Sequence, residues 1–289
     1  MSIKGLTIIG ESINDSVPST QKLFEANDIE GLKALARTQE EKGALYIDVN
    51  VGRRSPEFMA RMVKEIQTVT SKPLSIDTPD YEIAAAGLAA YDLDRTGGKI
   101  PILNSISLLR TEMFDLYKIK PFMPILMVSE RMVNGQRTPC RSAQETVDTA
   151  KEILKVLSDK GYKIPIQECI IDPGIAPIGT DMEGTVKRVL DSMALIHADP
   201  QMAGVHMSVG LSNFTVMLPS KRADGSPVKG ALESAFLTKA MPIGLDMIIG
   251  SVVRNYQILS ADHPALVCLE DCLRLGGFEV IGRIREFYS

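Results

Sequence analysis

Short apolar segments alternate with helical segments about eight times along this chain of 289 residues. The apolar segments are typical of β-strands and read, in order, LTIIG, ALYIDVN, PLSID, IPILNSIS, FMPILMVS, CIIDPGI, VHMSVG and LDMIIG. Continuous apolar strands that alternate with helices indicate a parallel sheet covered by helices. A closed barrel of such units usually takes roughly 250 residues. The sequence therefore predicts the α/β class and a single (β/α)8 TIM barrel, with an open doubly wound sheet as the alternative.

The chain shows no internal division. It contains no linker, low-complexity tract or change of composition, so we expect one domain over residues 1–289. Helix starts are marked by Asp28, and by Ser55 followed by Pro56, which suit a cap and a first helical position. Two polar segments are expected to be loops, residues 11–30 after the first strand and residues 130–142 after the fifth.

Charge and the cysteines bear on partners and location. The formal net charge of −4 argues against a nucleic-acid binder, which usually carries a basic face. The N-terminal segment lacks the features of a signal peptide, and no segment approaches the ~20 apolar residues of a membrane helix. We therefore expect a cytoplasmic protein with reduced thiols and no membrane contact. Cys268 and Cys272 lie one helical turn apart, and two buried helix positions are favoured over half of a metal site.

Polar side chains stand at the carboxyl end of most predicted strands. A parallel barrel places its active site at that end, so these side chains are expected to face one pocket. The segment VHMSVGLSNFTVMLP is the clearest case, because its apolar run breaks at Gly210 and then presents Ser212 and Asn213. The full set of strand-end residues is Glu11, Asn14, Asp48, Asn50, Asp77, Asn104, Ser129, Asp172, Ser212 and Asn213.

The composition of this set limits its chemistry. It contains carboxylates, amides and hydroxyls but no cysteine, and of the three histidines only His206 lies near a strand end. A zinc or iron site is therefore not expected, whereas an all-oxygen magnesium site stays open. No strand ends on lysine, which disfavours Schiff-base chemistry, and no glycine-rich phosphate-binding motif is present.

Each of these residues also has a purely structural interpretation. Asp48 and Asp77 are able to cap the helices that follow them, Asn104 to bind loop amides, and Asp172 to shape a turn before Pro173. Taken one at a time, structure and function are about equally supported. Taken together, their common placement at one end of the strands favours a binding site.

Carboxylates and amides suit an aminopyrimidinone ring. A carboxylate accepts two hydrogen bonds from an amidine-like pair of N–H groups, and an asparagine amide donates and accepts at once. Such a site rejects the wrong heterocycle because buried polar groups would be left unpaired. The strand-end set therefore indicates a pterin as the ligand.

The strand-end motifs IGESIN, ALYIDVNVG, SIDT, ILNSIS, IIDPG and GLSNFTVMLP resemble, in order and over nearly the whole chain, those of the pterin-binding methyltransferases. This group includes methyltetrahydrofolate:corrinoid protein methyltransferases, O-demethylating enzymes and the folate domain of cobalamin-dependent methionine synthase. Dihydropteroate synthase is a more distant relative on the same barrel. The resemblance implies a dihydropteroate-synthase-like TIM barrel that moves methyl groups between a corrinoid protein and tetrahydrofolate.

The resemblance also implies roles for particular residues. Asp77, Asn104 and Asp172 match the pterin cradle, and Asn213 matches the asparagine that reaches the ring nitrogen carrying the methyl group. Asn213 and Asp172 are therefore the expected catalytic residues. The weaker, supporting matches are Glu11, Asn14, Asp48, Asn50, Ser212 and Asp246. Methyltetrahydrofolate or tetrahydrofolate is the implied substrate, cobalamin arrives on a partner protein, and no protein-bound metal is implied.

Methyl transfer from a folate nitrogen needs activation of a poor leaving group. A hydrogen bond that strengthens as charge develops, here from Asn213, supplies it, and the proton comes from solvent or a water network at Asp172 or Asp77. A homodimer is expected from the resemblance and from the apolar helix positions Met59, Met62, Val63 and Ile66. The alternative is that these four side chains pack on the barrel.

Two other functions stay open at this point. A dihydropteroate-synthase-like condensing enzyme would need anion-binding residues at the pocket rim. The segments SVGLSNF and LDMIIGS carry no lysine or arginine, and Lys221 and Arg222 lie further out in a loop. A pterin-binding barrel without chemistry of its own is the remaining alternative.

Overall fold

Eight parallel strands form the central sheet of the computed structural model, which describes residues 3–289. Within that range the strands are β1 (Thr7–Asn14), β2 (Tyr46–Asn50), β3 (Leu74–Asp77), β4 (Ile102–Ile106), β5 (Met123–Met127), β6 (Glu130–Val133), β7 (Gln136–Pro139), β8 (Ile170–Asp172), β9 (His206–Met207) and β10 (Met247–Gly250). The sheet runs in the order β10-β1-β2-β3-β4-β5-β8-β9. A parallel bridge between Gly210 and Ile249 joins its two edges. The predicted eight-stranded barrel is therefore confirmed.

Helices surround this sheet, and five of the ten α-helices described begin at a residue whose side chain caps them. The α-helices are α1 (Pro18–Glu25), α2 (Ile29–Glu41), α3 (Pro56–Gln67), α4 (Tyr81–Ala90), α5 (Ala143–Asp159), α6 (Thr185–Ala198), α7 (Leu211–Phe214), α8 (Lys229–Ala240), α9 (Pro264–Arg274) and α10 (Phe278–Tyr288). Asp28 accepts a hydrogen bond from the Gly31 N–H, and Ser55 accepts one from Phe58. Both predicted caps are confirmed.

Two segments predicted as loops contain regular structure. The first strand continues to Asn14 and α1 follows, so Glu11 and Asn14 project from a strand rather than from a flexible loop. Residues 130–142 contain the antiparallel hairpin β6–β7, which turns at Asn134 and Gly135, both at positive φ. The polar composition of the hairpin concealed it, because neither strand buries an apolar face.

The core has two layers, which follow from the alternation of side chains along each strand. One set of strand residues, such as Ile47, Leu103 and Ile171, packs in the large cluster that includes the helices. Ile9, Ile102, Ile125, Ile170 and Met247 form a second cluster, which has no helix residue in it and fills the barrel interior. Interior positions above this second cluster are the ones that carry polar side chains.

The burial of side chains tests two further predictions, the dimer surface on α3 and the role of the two cysteines on α9. Met59, Met62, Val63 and Ile66 of α3 are fully buried in the large core cluster, so they pack on the barrel and provide no dimer surface. Cys268 and Cys272 are buried free thiols on α9, which confirms their interpretation as small core residues. The helices found between Ile3 and Ser289 are all too short or too polar to traverse a bilayer.

Candidate functional site

A cavity of about 540 Å3 lies at the carboxyl ends of the barrel strands. Its walls come from β1, β3, β4, β5, β8 and β10 and from the segments that follow them and β9. The lining residues are Glu11, Asn14, Ser16, Val17, Asp77, Asn104, Met127, Ser129, Asp172, Gly174, Ile175, Gly210, Ser212, Asn213 and Ile249. Polar groups and a few apolar side chains thus share one concave surface, which is typical of a site for a small molecule.

The two-residue period of a strand explains why these polar side chains point inward. Asn104 stands two positions after Ile102, and Asp172 stands two positions after Ile170, and both isoleucines fill the barrel interior. The register then places neighbours side by side, with Asp77 opposite Asn104. On β4 and β8, the interior face therefore carries an isoleucine at the bottom of the barrel and a polar residue at the cavity.

Asp77 is held by a network with two neighbours on β2. The Asn50 amide Nδ2 donates to Asp77 Oδ2 at 2.8 Å, and Asn50 Oδ1 accepts from the Gly52 N–H at 2.9 Å. Asp48 lies behind Asp77 with no exposed surface, and neither of its carboxylate oxygens has a hydrogen-bond partner within residues 3–289. Burial, and then the charge of Asp77, raises the pKa of Asp48 well above its usual value.

Burial raises the pKa of both carboxyl groups, that of Asp77 to about 6 against the effect of the Asn50 hydrogen bond, which lowers it. Asp77 is the member of the pair that lines the cavity, whereas Asp48 is fully buried. The cavity thus presents the Asp77 carboxyl group, whose charged form is disfavoured by burial until a ligand donates hydrogen bonds to it.

Asp172 forms the second carboxylate of the cavity. Its Oδ1 accepts from the Gly174 N–H at 2.8 Å, and its Oδ2 accepts from the Ser208 hydroxyl at 3.3 Å. Burial raises the pKa of Asp172 to about 6. The buried Arg188 guanidinium donates to the carbonyl oxygens of Pro173 at 2.9 Å and Gly174 at 3.0 Å, which fixes the turn that orients the carboxylate.

Asn213 is carried into the cavity by the single turn of α7. Leu211 and Phe214 are fully buried and anchor that turn, so Ser212 and Asn213 face the opposite way, toward the cavity. The Ser212 hydroxyl donates to Glu11 Oε2 at 2.8 Å, which ties the turn to β1. Burial raises the pKa of Glu11.

Comparison with known proteins decides the family. A family model described as "Pterin binding enzyme" matches residues 13–250. The chain belongs to the pterin-binding enzyme family. The resemblance stated from the strand-end motifs is thereby confirmed.

Individual relatives agree with this membership. The chain is 26% identical over 254 residues to a methylcorrinoid:tetrahydrofolate methyltransferase of Eubacterium limosum, with 84% of each chain covered. Among solved structures, it is similar to 7,8-dihydropteroate synthase from Vibrio fischeri ES114, with a TM-score of 0.56, 14% identity and 95% and 94% of the two chains covered. Dihydropteroate synthase from Xanthomonas albilineans gives a TM-score of 0.55 at 17% identity, with 92% and 90% covered. At these identities the two structures support the barrel fold alone.

The structure of this pterin-binding family member brings most of the predicted site residues together. Those that line the cavity are Glu11, Asn14, Asp77, Asn104, Asp172, Ser212 and Asn213. Asp48 and Asn50 do not line it, and of the two only Asn50 donates a hydrogen bond to Asp77, whereas Asp48 is fully buried. The matching of Asp246 to the site is wrong. It precedes β10 at the amino end of the barrel, where its Oδ2 lies 2.6 Å from His206 Nδ1.

Several residues that shape the site were not predicted. Ser208 and Arg188 both act on Asp172, one on its oxygen and the other on its turn. The available signal for Arg188 was a cation on an otherwise apolar helix face, between Val186 and Val189. Ser208 lies within a predicted strand two positions after His206, on the same interior face.

The charge pattern of the cavity is one-sided. None of the lining residues between Ile3 and Ser289 is lysine, arginine or histidine. Arg222 instead lies with its guanidinium carbon 4.9 Å from the Phe287 ring centroid, outside the cavity. In the described part of the chain, no group of three or more His, Cys, Asp or Glu side chains has the arrangement of a metal site.

Proposed function

We propose that this chain is a methyltransferase that moves a methyl group between a corrinoid protein and tetrahydrofolate. The observation that carries the proposal is a neutral amide, Asn213, on the wall of a cavity lined by carboxylates and amides and by no cationic side chain. The Eubacterium limosum relative, named for methylcorrinoid and tetrahydrofolate, supports the choice of substrates.

The pterin ring is proposed to lie among Asp77, Asn104 and Asp172. The donor set fits the ring, because its amino group and N–H donate to carboxylates while its carbonyl and ring nitrogens accept from an amide. Asn50 acts through Asp77 by orienting its carboxylate, and the buried Asp48 lies beside Asp77, whose charge adds to burial in raising the pKa of Asp48. Glu11, Asn14 and Ser212 complete the wall near Asn213.

Asn213 is proposed to be the residue that favours the transition state. When the methyl–nitrogen bond breaks, its electron pair stays on the folate nitrogen, which takes up a proton from solvent or from water held at Asp172 or Asp77. The Asn213 amide donates a hydrogen bond to this nitrogen as the electron pair develops on it. A preorganised neutral dipole stabilises such a change without binding the ground state equally well. The corrinoid, as the second substrate, supplies the nucleophile or the methyl group.

The alternative of a condensing enzyme lacks support at the cavity. Displacement of pyrophosphate leaves charge that enzymes stabilise with lysine, arginine or a metal ion. Arg254, the nearest arginine to follow β10, is paired with Glu233 at 3.3 Å and does not line the cavity. The likeness to dihydropteroate synthases is one of fold.

The test uses the purified protein with free corrinoid in place of the partner. Methylcobalamin and tetrahydrofolate should yield methyltetrahydrofolate, and cob(I)alamin with methyltetrahydrofolate should run the reaction in reverse, both followed by the corrinoid absorption spectrum. Asn213→Ala should lower the rate by roughly 10²–10³, the range for loss of one preorganised donor. Folded protein that binds folate but leaves the corrinoid spectrum unchanged would indicate a binding barrel. Condensation of a pterin pyrophosphate with aminobenzoate would indicate a synthase.

The wider setting is proposed on the same grounds. Residues 1–289 act as one catalytic domain that serves O-demethylation or related one-carbon metabolism in the cytoplasm, and the four free buried cysteines suit a reducing compartment. The proposal that the protein is a homodimer now depends on the family resemblance alone. Sedimentation at micromolar protein concentration gives the mass of the particle and tests this proposal. A monomeric mass would remove the dimer and leave the cavity chemistry unchanged.

A further inference from the structure

A buried carboxylate lies behind the turn that carries Asn213, outside the cavity. Glu233 of α8 is 1% exposed, and its Oε1 accepts a hydrogen bond from the hydroxyl of Thr215. Thr215, also 1% exposed, is the residue at which α7 ends. The second oxygen of Glu233 lies 3.3 Å from Arg254 Nε, on the segment that follows β10. Glu233 therefore joins α8, the end of α7 and the segment after β10.

A buried carboxylate at position 233 contributes less to stability than an apolar side chain would. A buried carboxylate gains little over a well-packed apolar side chain, because it loses its hydration, and here Arg254 keeps 30% of its side-chain surface exposed. Apart from Thr215 and the segment that follows β10, most of the residues around Glu233 on α8 are apolar. Phe236, one turn further along α8, packs on Phe214 with ring centroids 5.2 Å apart, and Leu232 and Leu237 are fully buried. A leucine at position 233 would suit these surroundings, so the carboxylate is explained by its contacts with Thr215 and Arg254.

The short turn needs such support. A four-residue helix makes few internal hydrogen bonds, and an isolated turn of this length is unstable in water. One side of α7 is tied to β1 by the bond from Ser212 to Glu11, and its end is tied to α8 by the bond from Thr215 to Glu233. The two ties flank Asn213 on either side in the sequence. Loss of either one frees the backbone that aims the amide.

We propose that Glu233, with Thr215 and Arg254, is a positioning element that holds Asn213 in the orientation required for methyl transfer. The inference rests on the proposed function. Glu233 and Thr215 touch neither the cavity nor the substrate, and they act through the backbone of α7. Their removal should lower turnover and leave the pterin cradle of Asp77, Asn104 and Asp172 intact.

The experiment compares matched threonine variants. Thr215→Val removes the hydroxyl that reaches Glu233, and Thr215→Ser retains it. Thr238→Val is the control, because Thr238 also lies on α8, and its hydroxyl donates to Ser234 O at 2.7 Å and accepts from the Leu259 N–H at 3.0 Å, both away from α7. Glu233→Gln keeps the volume and an acceptor for Thr215 and removes the charge that faces Arg254. Thr215→Val and Glu233→Gln should lower kcat about tenfold or more, with folate affinity changed less than about threefold. Thr215→Ser and Thr238→Val should stay near the parent in both.

A second readout does not depend on activity. The side-chain amide of Asn213 gives a pair of signals in a proton–nitrogen correlation spectrum, assigned by their loss in Asn213→Ala. Thr215→Val should shift or broaden this pair, and Thr238→Val should not. Parent-like turnover and parent-like amide signals in folded Thr215→Val would overturn the proposal, as would equal losses of kcat and affinity. If the parent itself transfers no methyl group, the proposed function fails, and the amide signals still decide whether Glu233 positions Asn213.

Discussion

Asp172 offers a direct test of how the cavity is built, because burying its ionised carboxylate lowers the stability of the folded protein. It is 3% exposed, and burial raises its pKa from 3.8 to about 6. The difference corresponds to about 3 kcal/mol of lost stability when the group is ionised, since one pKa unit is worth about 1.4 kcal/mol. Asp172→Asn removes the charge and keeps the shape, so it should stabilise the protein without ligand at neutral pH.

The hydrogen bonds of Asp172 survive this change. Asparagine Oδ1 still accepts from the Gly174 N–H, and the Ser208 hydroxyl is able to turn and accept from the new amide. The expected gain is therefore about 1–3 kcal/mol in the free energy of unfolding at neutral pH. Folate affinity should fall at the same time, because an amide cannot accept two N–H bonds from the ring. A stability gain with a loss of binding is a common trade at functional sites.

The pH dependence has a definite sign. The folded state holds the Asp172 proton more tightly than the unfolded state, so between about pH 4 and about pH 6 the unfolded chain binds fewer protons and wild-type stability falls as pH rises. Asp172→Asn lacks this loss. The difference between the two proteins should be near zero below about pH 4, grow through the window and level off above about pH 7.

Urea unfolding followed by circular dichroism at several pH values measures this difference, and calorimetry measures folate affinity. Asp148→Asn is the control, because Asp148 is exposed and its carboxylate accepts a hydrogen bond from the Gln144 side chain on the same helix. It should change stability by less than about 0.5 kcal/mol at every pH. A stability difference for Asp172→Asn that does not vary with pH, or a variant less stable than wild type at neutral pH, would refute the argument from burial.

Three further changes probe other parts of the barrel. Asp77→Ala should weaken folate binding by about 1.5–3 kcal/mol in calorimetry, through loss of a charge-assisted hydrogen bond. Gly210→Ala should fold, since the φ of Gly210 is −72°, but the new methyl group would stand 2.8 Å from Asn213 Nδ2 and displace it. Its methyl-transfer rate should fall about tenfold or more, with a smaller effect on binding. Asp246→Asn should destabilise the protein at about pH 6 more than at about pH 8, because Asp246 raises the pKa of His206 and this stability is lost as pH rises through that pKa.

Each of these has an outcome that contradicts it. Unchanged affinity in Asp77→Ala would remove that residue from the pterin site. Gly282→Ala adds a methyl group in open space on α10 and controls for the glycine substitution itself. A Gly210→Ala variant as active as Gly282→Ala would mean that the amide position is not critical. If Asp246→Asn lowers stability equally at both pH values, the contact between Asp246 and the charged form of His206 does not stabilise the protein.

The sequence by itself determined the barrel and the identity of its polar ring. Both depend on local patterns, namely apolar runs followed by helices, and a two-residue strand period that places Asn104 on the same face as Ile102. Cap residues such as Asp28 and Ser55 are local as well, and their helices begin where predicted. The hairpin of residues 130–139 was not predicted, because its sequence is polar on both faces and lacks the apolar alternation of a strand.

Only the tertiary structure decided which polar residues meet. The resemblance alone matches Asp246 to the site, whereas in the structure it precedes β10 and pairs with His206 at the opposite end of the barrel. The contact of Asn50 with Asp77 depends on the register of two strands, and that of Thr215 with Glu233 depends on how α8 packs against α7. Such contacts between distant segments form only when the sheet closes, because closure sets the order and stagger of the strands.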